Sequence, residues 1–149
     1  MGPLSYFLGL HVQYNSDGSL FIHQSKYAKD MLKKAGMENC KPTSTPSKPH
    51  TQLLADEGSL MSDPSHYRSI DGALEYLTFT RPDPAHSVNM VCQYMTQPTD
   101  GHYYLVKRIL RYEGTIDHGL HYIKSSDFQI VAYSDSDWAA YINTRRSIS

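Results

Sequence analysis

Twice in this sequence an Asp-Pro pair stands directly ahead of apolar residues that repeat at the helical period. Asp63-Pro64 precedes Tyr67, Ile70, Leu74 and Leu77, and Asp83-Pro84 precedes Ala85, Val88, Val91, Cys92 and Met95. An aspartate carboxylate can accept from the first amides of a helix, and proline at the first helical position gives up an amide that would have no partner there. Residues three and four apart then line one face. Each pair therefore predicts a helix with a defined start and an apolar side that must be covered. A third helix is expected from Thr99, with Leu105, Val106, Ile109 and Leu110 inward and Gly114 closing it. Residues 63 to 114 thus read as a small helical bundle, the part of the chain best able to bury its own core.

The segment ahead of the bundle is patterned differently. In "YFLGLHVQYNSDGSLFIHQ", Leu8, Leu10 and Val12 alternate with Phe7, Gly9 and His11, and Leu20, Phe21 and Ile22 follow "NSDG". Alternation predicts two strands, and Asp17-Gly18 supplies the positive backbone angles of a hairpin turn. A lone hairpin is marginal in water, so this one must lie against something. "SKYAKDMLKKAGM" predicts a helix capped by Ser25 and ended by Gly36, with Tyr27, Ala28, Met31, Leu32 and Ala35 on one face. Lys41 to Ser62 opens rich in Pro, Ser and Thr and reads as a linker. Its length suggests two parts that are tethered rather than fused. The resulting divisions are 1–40, hairpin plus helix; 41–62, linker; 63–118, helices; and 119–149, strands.

Beyond the bundle, "LHYI" and "FQIVAYSD" predict two strands without enough neighbours to complete a sheet. Their unpaired edges predict fraying or self-association. The second strand leads into Asp135 and Asp137. Two carboxylates at a strand exit can hold a divalent ion, but two-metal phosphoryl chemistry needs several converging acidic groups about 3.5–4 Å from metal to metal. Magnesium gives up its water reluctantly to fewer ligands. The fold class is accordingly α+β: a hairpin, four helices and a partial sheet at the end.

Charge gives no whole-molecule pull toward nucleic acid or membrane, since fourteen basic residues face fifteen acidic ones for a net charge of −1. Polyanion contact would have to be local. Lys107, Arg108 and Arg111 share one side of the last helix, and Lys26, Lys29, Lys33 and Lys34 line the first. Each set is either a solvated helix face or a set of phosphate contacts, and the spacing alone leaves both open. Tyr103 and Tyr104 read as core or boundary residues rather than base-stacking ones. The eight histidines include one close pair, His118 and His121, with no third ligand for a zinc-type set. Cys40 and Cys92 read as reduced thiols of an intracellular protein. No apolar run approaches bilayer length and the first residues lack the features of a signal peptide, so the chain is read as neither membrane-spanning nor secreted.

The order of several motifs adds to this reading. "YFLGLHV", "HQSKYAKDMLKKAGM", "YRSIDGALEYLTFTRPD", "VCQYMTQPT", "LVKRILRY", "GTIDHGL" and "AYSDSDWA" followed by "TRRS" resemble, in that sequence, the Pol polyprotein of copia-type long-terminal-repeat retrotransposons. The resemblance covers essentially the whole chain and suggests a plant source. It implies that residues 4 to 24 are the end of a reverse transcriptase palm, including the hairpin that grips the primer. It implies a thumb for the following helices and the opening of a ribonuclease H domain for residues 120 to 149. Asp135 then matches the first catalytic and metal-binding carboxylate of that nuclease. Lys107, Arg108, Arg111, Lys26 and Lys29 would face a primer–template duplex or RNA–DNA hybrid. The family's magnesium-dependent polymerase centre lies upstream of the matched segment and the other nuclease acids lie downstream. The expectation is therefore a fragment without activity, cofactor or membrane contact of its own. A residual module that binds such a duplex weakly and a small interaction or structural protein are the alternatives. Asp71 departs from the family pattern, where a small apolar residue is usual: it stands beside the apolar stripe of its helix, where a carboxylate without a partner is costly.

Overall fold

The computed structural model describes residues 2–47, 58–113, 116–124 and 129–133. Strands β1 (Tyr6–Phe7), β2 (Leu10–Tyr14) and β3 (Leu20–His23) lead into helix α1 (Ser25–Lys34). Helices α2 (Pro64–Leu77), α3 (Ala85–Cys92) and α4 (Asp100–Glu113) follow, and β4 (Leu120–Tyr122) ends the regular structure. The described residues are thus mixed, with four helices and one four-stranded antiparallel sheet.

The helical stripes form the core. Tyr67, Ile70, Leu74 and Leu77 of α2, Val88 and Val91 of α3, and Leu105, Val106, Ile109 and Leu110 of α4 are buried together. Ala28, Met31 and Leu32 of α1 belong to the same cluster, with Tyr27 and Ala35 half-buried against it. The helix before the linker and the three after it therefore share one core, where the length of the linker had suggested two tethered parts. The physical reason is the face of α1: a ten-residue helix cannot cover its own apolar side, and the side of α2 offers the partner.

The starts of the helices follow the sequence only in part. Asp63 caps α2 as expected, accepting from Ser65 and His66 amides at 3.0 and 3.2 Å, with Pro64 at the first position. Asp83 does not repeat the device. Its carboxylate takes the buried Arg81 guanidinium in a two-point pair, at 2.9 Å to Nε and 2.8 Å to Nη2. A charge-assisted pair outcompetes a capping bond, and α3 starts behind Pro84 without a side-chain cap. Burial alone would raise the pKa of Asp83, but Arg81 and the Tyr112 hydroxyl reverse this and bring it to about 2. Ser25 does not cap α1 either: its hydroxyl donates to the Ile116 carbonyl at 2.8 Å. Gly36 does end α1, at φ +65°, with the Met37 amide reaching back to Leu32. The residue expected to close α4, Gly114, lies outside the described residues.

The sheet runs β1-β2-β3-β4, every pair antiparallel. The hairpin of β2 and β3 is the expected one, with Gly18 at φ +81° in its turn; Asp17 keeps a negative φ and instead accepts from Ser19. The first expected strand is split. Leu8 and Gly9 sit at φ +46° and +84° and fold β1 back on β2, so that Phe7 faces Leu10. β4 pairs with β3, setting Ile22 opposite Leu120 and Phe21 opposite His121. Residues 120–122 thus do find a sheet partner, contrary to expectation, and it is the hairpin from the opposite end of the chain. Residues 129–133, expected within a strand, form no regular structure. The sheet meets the helices at a few points: Gly9 against the Tyr76 ring, the Tyr76 hydroxyl on the Leu8 carbonyl, and Thr80 donating to Gln24 at 2.9 Å.

Asp71 is fully buried on α2, and among the described residues no hydrogen bond of ordinary geometry reaches either carboxylate oxygen. Burial is the main cause that raises its pKa, to about 6; the neighbouring Cys92 thiol offsets a little of this and Glu75 adds to it. The departure noted in the sequence is thus a buried acid in the helical core.

Candidate nucleic-acid interface

The basic residues of α4 fall into two kinds. Lys107 is exposed, and its ammonium lies 4.9 Å from the centre of the Tyr103 ring, a cation–π contact that leaves it open to solvent. Arg108 and Arg111 are half-buried because residues 41–47 lie across them. Arg108 Nη2 donates to Thr45 Oγ1 at 2.7 Å and Arg111 Nε donates to the Lys41 carbonyl at 2.8 Å. The Arg111 carbonyl in turn accepts from the Thr43 amide at 3.3 Å. Nothing in the sequence announces this: the partners are a hydroxyl and backbone groups more than sixty residues away, and a Pro, Ser and Thr-rich stretch reads as linker.

The lysines of α1 stand apart from this set. Lys26, Lys29, Lys33 and Lys34 are all exposed. Lys34 donates to Ser69 on α2. Because α1 packs on α2 while α4 packs on α3 and α2, the two cationic sets ride on different elements, and no described interaction joins them. Tyr103 is half-buried and hydrogen-bonded to His66 at 2.8 Å, as a boundary residue should be. Tyr104 is 60% exposed and corrects the expectation that it belongs to the core or its boundary.

The hairpin contributes a second surface. Cross-strand register sets Tyr6, His11 and His23 side by side: the His11 and His23 rings stack 5.1 Å apart, and Tyr6 meets His11 edge-on. Ser25 holds the His23 ring: its hydroxyl donates to the Ile116 carbonyl and lies 2.7 Å from Nδ1 of His23, and its amide donates to the same Nδ1 at 3.4 Å. Burial, then the nearby His11, lowers the pKa of His23, with Asp117 opposing. At the turn between β1 and β2, Leu8 is 68% exposed, and Phe79, beside Tyr76 after the end of α2, is 70% exposed. The glycine of "YFLGL" is the one sequence signal that could have found this turn.

Asp135, Asp137 and Trp138 lie outside the described residues. Among the described residues no group of three or more His, Cys, Asp or Glu side chains could hold a metal ion, and no helix is long and apolar enough to cross a membrane. The cleft between α3 and α4, lined by Met90, Val91, Leu105 and Ile109 with Pro46 seated in it, is too small for a nucleotide.

Comparison with known proteins places these features in a lineage. The chain is 49% identical over 148 residues to an uncharacterized mitochondrial protein of Arabidopsis thaliana, covering 99% of this chain and 61% of that protein. It is 42% identical over 146 residues to the retrovirus-related Pol polyprotein from transposon RE2 of the same plant, covering 95% of this chain and 10% of that one. To the retrovirus-related Pol polyprotein from transposon TNT 1-94 of Nicotiana tabacum it is 34% identical over 158 residues, covering 99% of this chain and 12% of the other. The chain therefore spans about three fifths of the mitochondrial relative and about a tenth of each polyprotein. No family model and no solved structure matches it.

Proposed function

We propose, from its similarity to the retrovirus-related Pol polyproteins of plant transposons, that this chain is a copia-type Pol segment that runs from the end of a reverse transcriptase palm through the thumb to the opening of ribonuclease H. Its part in the polyprotein is to hold a primer–template duplex or RNA–DNA hybrid rather than to perform the chemistry. The observation that carries this is the pairing of a homologous Pol segment with two cationic helix faces, the exposed Lys26 and Lys29 on α1 and, on α4, the exposed Lys107 with the half-buried Arg108 and Arg111. The turn between β1 and β2 at Leu8-Gly9 is the element we assign to the primer strand, and Asp135 the residue we assign to the nuclease carboxylates. The magnesium of the parent enzyme would supply Lewis-acid chemistry there. The described residues do not offer it a ligand set. The chain on its own is proposed to extend no primer and cleave no hybrid.

Phosphate contacts make a specific demand on salt. If Lys107, Arg108 and Arg111 each neutralise one phosphate, log affinity should fall against log salt with a slope of about −2.7. Fluorescence anisotropy with a labelled RNA–DNA hybrid should give micromolar or weaker binding that the triple alanine variant loses. Binding unaltered in that variant would remove α4 from the interface. A second reading, self-association, is favoured by the sheet, whose outer strands β1 and β4 each have one edge unpaired among the described residues. Light scattering that shows oligomers growing with concentration, with no hybrid binding, would select it.

A further inference from the structure

The two guanidinium groups assigned to phosphate are already in use, and how they are used is informative. Residues 41–47 form a strap across α4, held at Arg111 through the Lys41 carbonyl and the Thr43 amide and at Arg108 through the Thr45 hydroxyl. Pro46 and Ser47 line the cleft between α3 and α4 together with Met90, Val91, Leu105 and Ile109. The strap contains no acidic residue. It satisfies donors but cancels no charge, and Lys41 adds a cation to the same side.

Arg108 shows that the fit is incomplete. The Nε and Nη2 groups of a guanidinium point along one edge and together match the two oxygens of a phosphate or carboxylate. Here Nη2 meets a single neutral hydroxyl, while Nε is buried with no acceptor among the described residues. A buried donor without a partner is uncommon and calls for a reason. Two oxygens of one anion, set where the exposed Thr45 hydroxyl now sits, would satisfy both groups and neutralise the charge.

We propose that the Nε–Nη2 edge of Arg108 is an oxyanion slot for a nucleic-acid backbone phosphate, and that the Lys41–Ser47 strap is its displaceable cover. Arg111 serves the same exchange: releasing the Lys41 carbonyl returns its Nε to the next phosphate. The duplex and the strap compete for one pair of guanidinium groups, so binding requires the strap to lift. This rests on the duplex-binding reading above and adds a self-masking step to it.

The test uses the full chain, a labelled RNA–DNA hybrid and hydrogen exchange read by mass spectrometry over 41–47. In the unaltered protein, adding hybrid should speed exchange of the Thr43 amide as its bond to Arg111 breaks. The double variant Thr43→Pro, Thr45→Val removes the strap's amide donor and its hydroxyl. It should bind about tenfold more tightly, the scale of one to two neutral hydrogen bonds removed from the competition. Circular dichroism is used to confirm that it keeps its helices. Hybrid bound by both proteins with equal affinity, and Thr43 exchange unchanged, would overturn the cover while leaving duplex binding intact. No binding by either protein would overturn both. Binding by the variant alone would support the cover most directly.

Discussion

Thr99 and His102 cap α4 by exchanging hydrogen bonds: the Thr99 amide donates to Nδ1 of His102 at 3.0 Å, and the His102 amide donates to Thr99 Oγ1 at 3.3 Å. This is the reciprocal arrangement usually made by Ser or Thr with Glu or Gln three residues on, built with an imidazole. The His102 ring is fully buried and stacks on Tyr94 at 3.8 Å and 8°. One side chain therefore closes the helix start and fills the core beneath it.

The double role sets the order of two substitutions. His102→Ala removes the cap, worth about 1 kcal/mol, and leaves a void under Tyr94, for a total loss of about 3 kcal/mol by comparison with other large-to-small core changes. His102→Gln can still accept from the Thr99 amide and should lose roughly half as much. Urea unfolding of the two variants measures both. Equal losses would show that the capping bond contributes nothing beyond the packing.

A glycine is the natural occupant of φ +46°, yet Leu8 holds that position, exposed, at the turn between β1 and β2. The left-handed region costs a residue with a side chain about 1–2 kcal/mol, and the exposed side chain regains little of it. Leu8→Gly should therefore raise stability in urea by about 0.5–1 kcal/mol, once the greater freedom of glycine in the unfolded chain is allowed for. If this turn meets the primer as proposed, the same change weakens hybrid binding. Unchanged or lower stability would mean that the Leu8 side chain contributes to the fold.

The sequence shows most clearly what is local. The stripes of α2, α3 and α4, the Asp63 cap, the glycine that ends α1 and the β2–β3 hairpin all follow from spacing and turn chemistry within a few residues. What the sequence hides is decided at long range or by competition. Asp83 has the same neighbour as Asp63, but Arg81 two residues earlier claims its carboxylate. Ser25 is positioned to cap but turns to Ile116, which β4 brings near by joining the hairpin sheet. The site divides in the same way. That Lys107, Arg108 and Arg111 share a side of α4 is legible from their spacing. That a linker would cover two of them is not, because its contacts are made by backbone groups and a hydroxyl that any sequence could supply.

Asp71 gives the chain an acid-side stability optimum with a calculable sign. In the unfolded chain a carboxyl titrates near its ordinary value of about 3.9, whereas burial in the core raises Asp71 to about 6. Between those values the folded protein binds the proton that the unfolded chain has lost, so stability falls as pH rises. The contribution is fully present below about pH 4 and gone above about pH 6 to 7, a span of about 2–3 kcal/mol at 1.36 kcal/mol per unit. The groups facing it do not rescue the charge: Glu75 is another acid one turn along α2, Cys92 presents a thiol whose own pKa is raised by burial and by Asp71, and Tyr67 is a phenol driven up by the same burial. Asp71→Asn keeps the shape and removes the charge, so its urea-unfolding free energy should be flat from pH 4 to 7 as far as this residue contributes, and higher than that of the unaltered protein at pH 7. Its amide is as poorly partnered as the acid, which reduces the gain at neutral pH but not the flattening. Asp71→Ala, which removes the carboxyl altogether, should flatten the profile in the same way. If both variants keep the slope of the unaltered protein between pH 4 and 6, the buried carboxyl is not the group that titrates there.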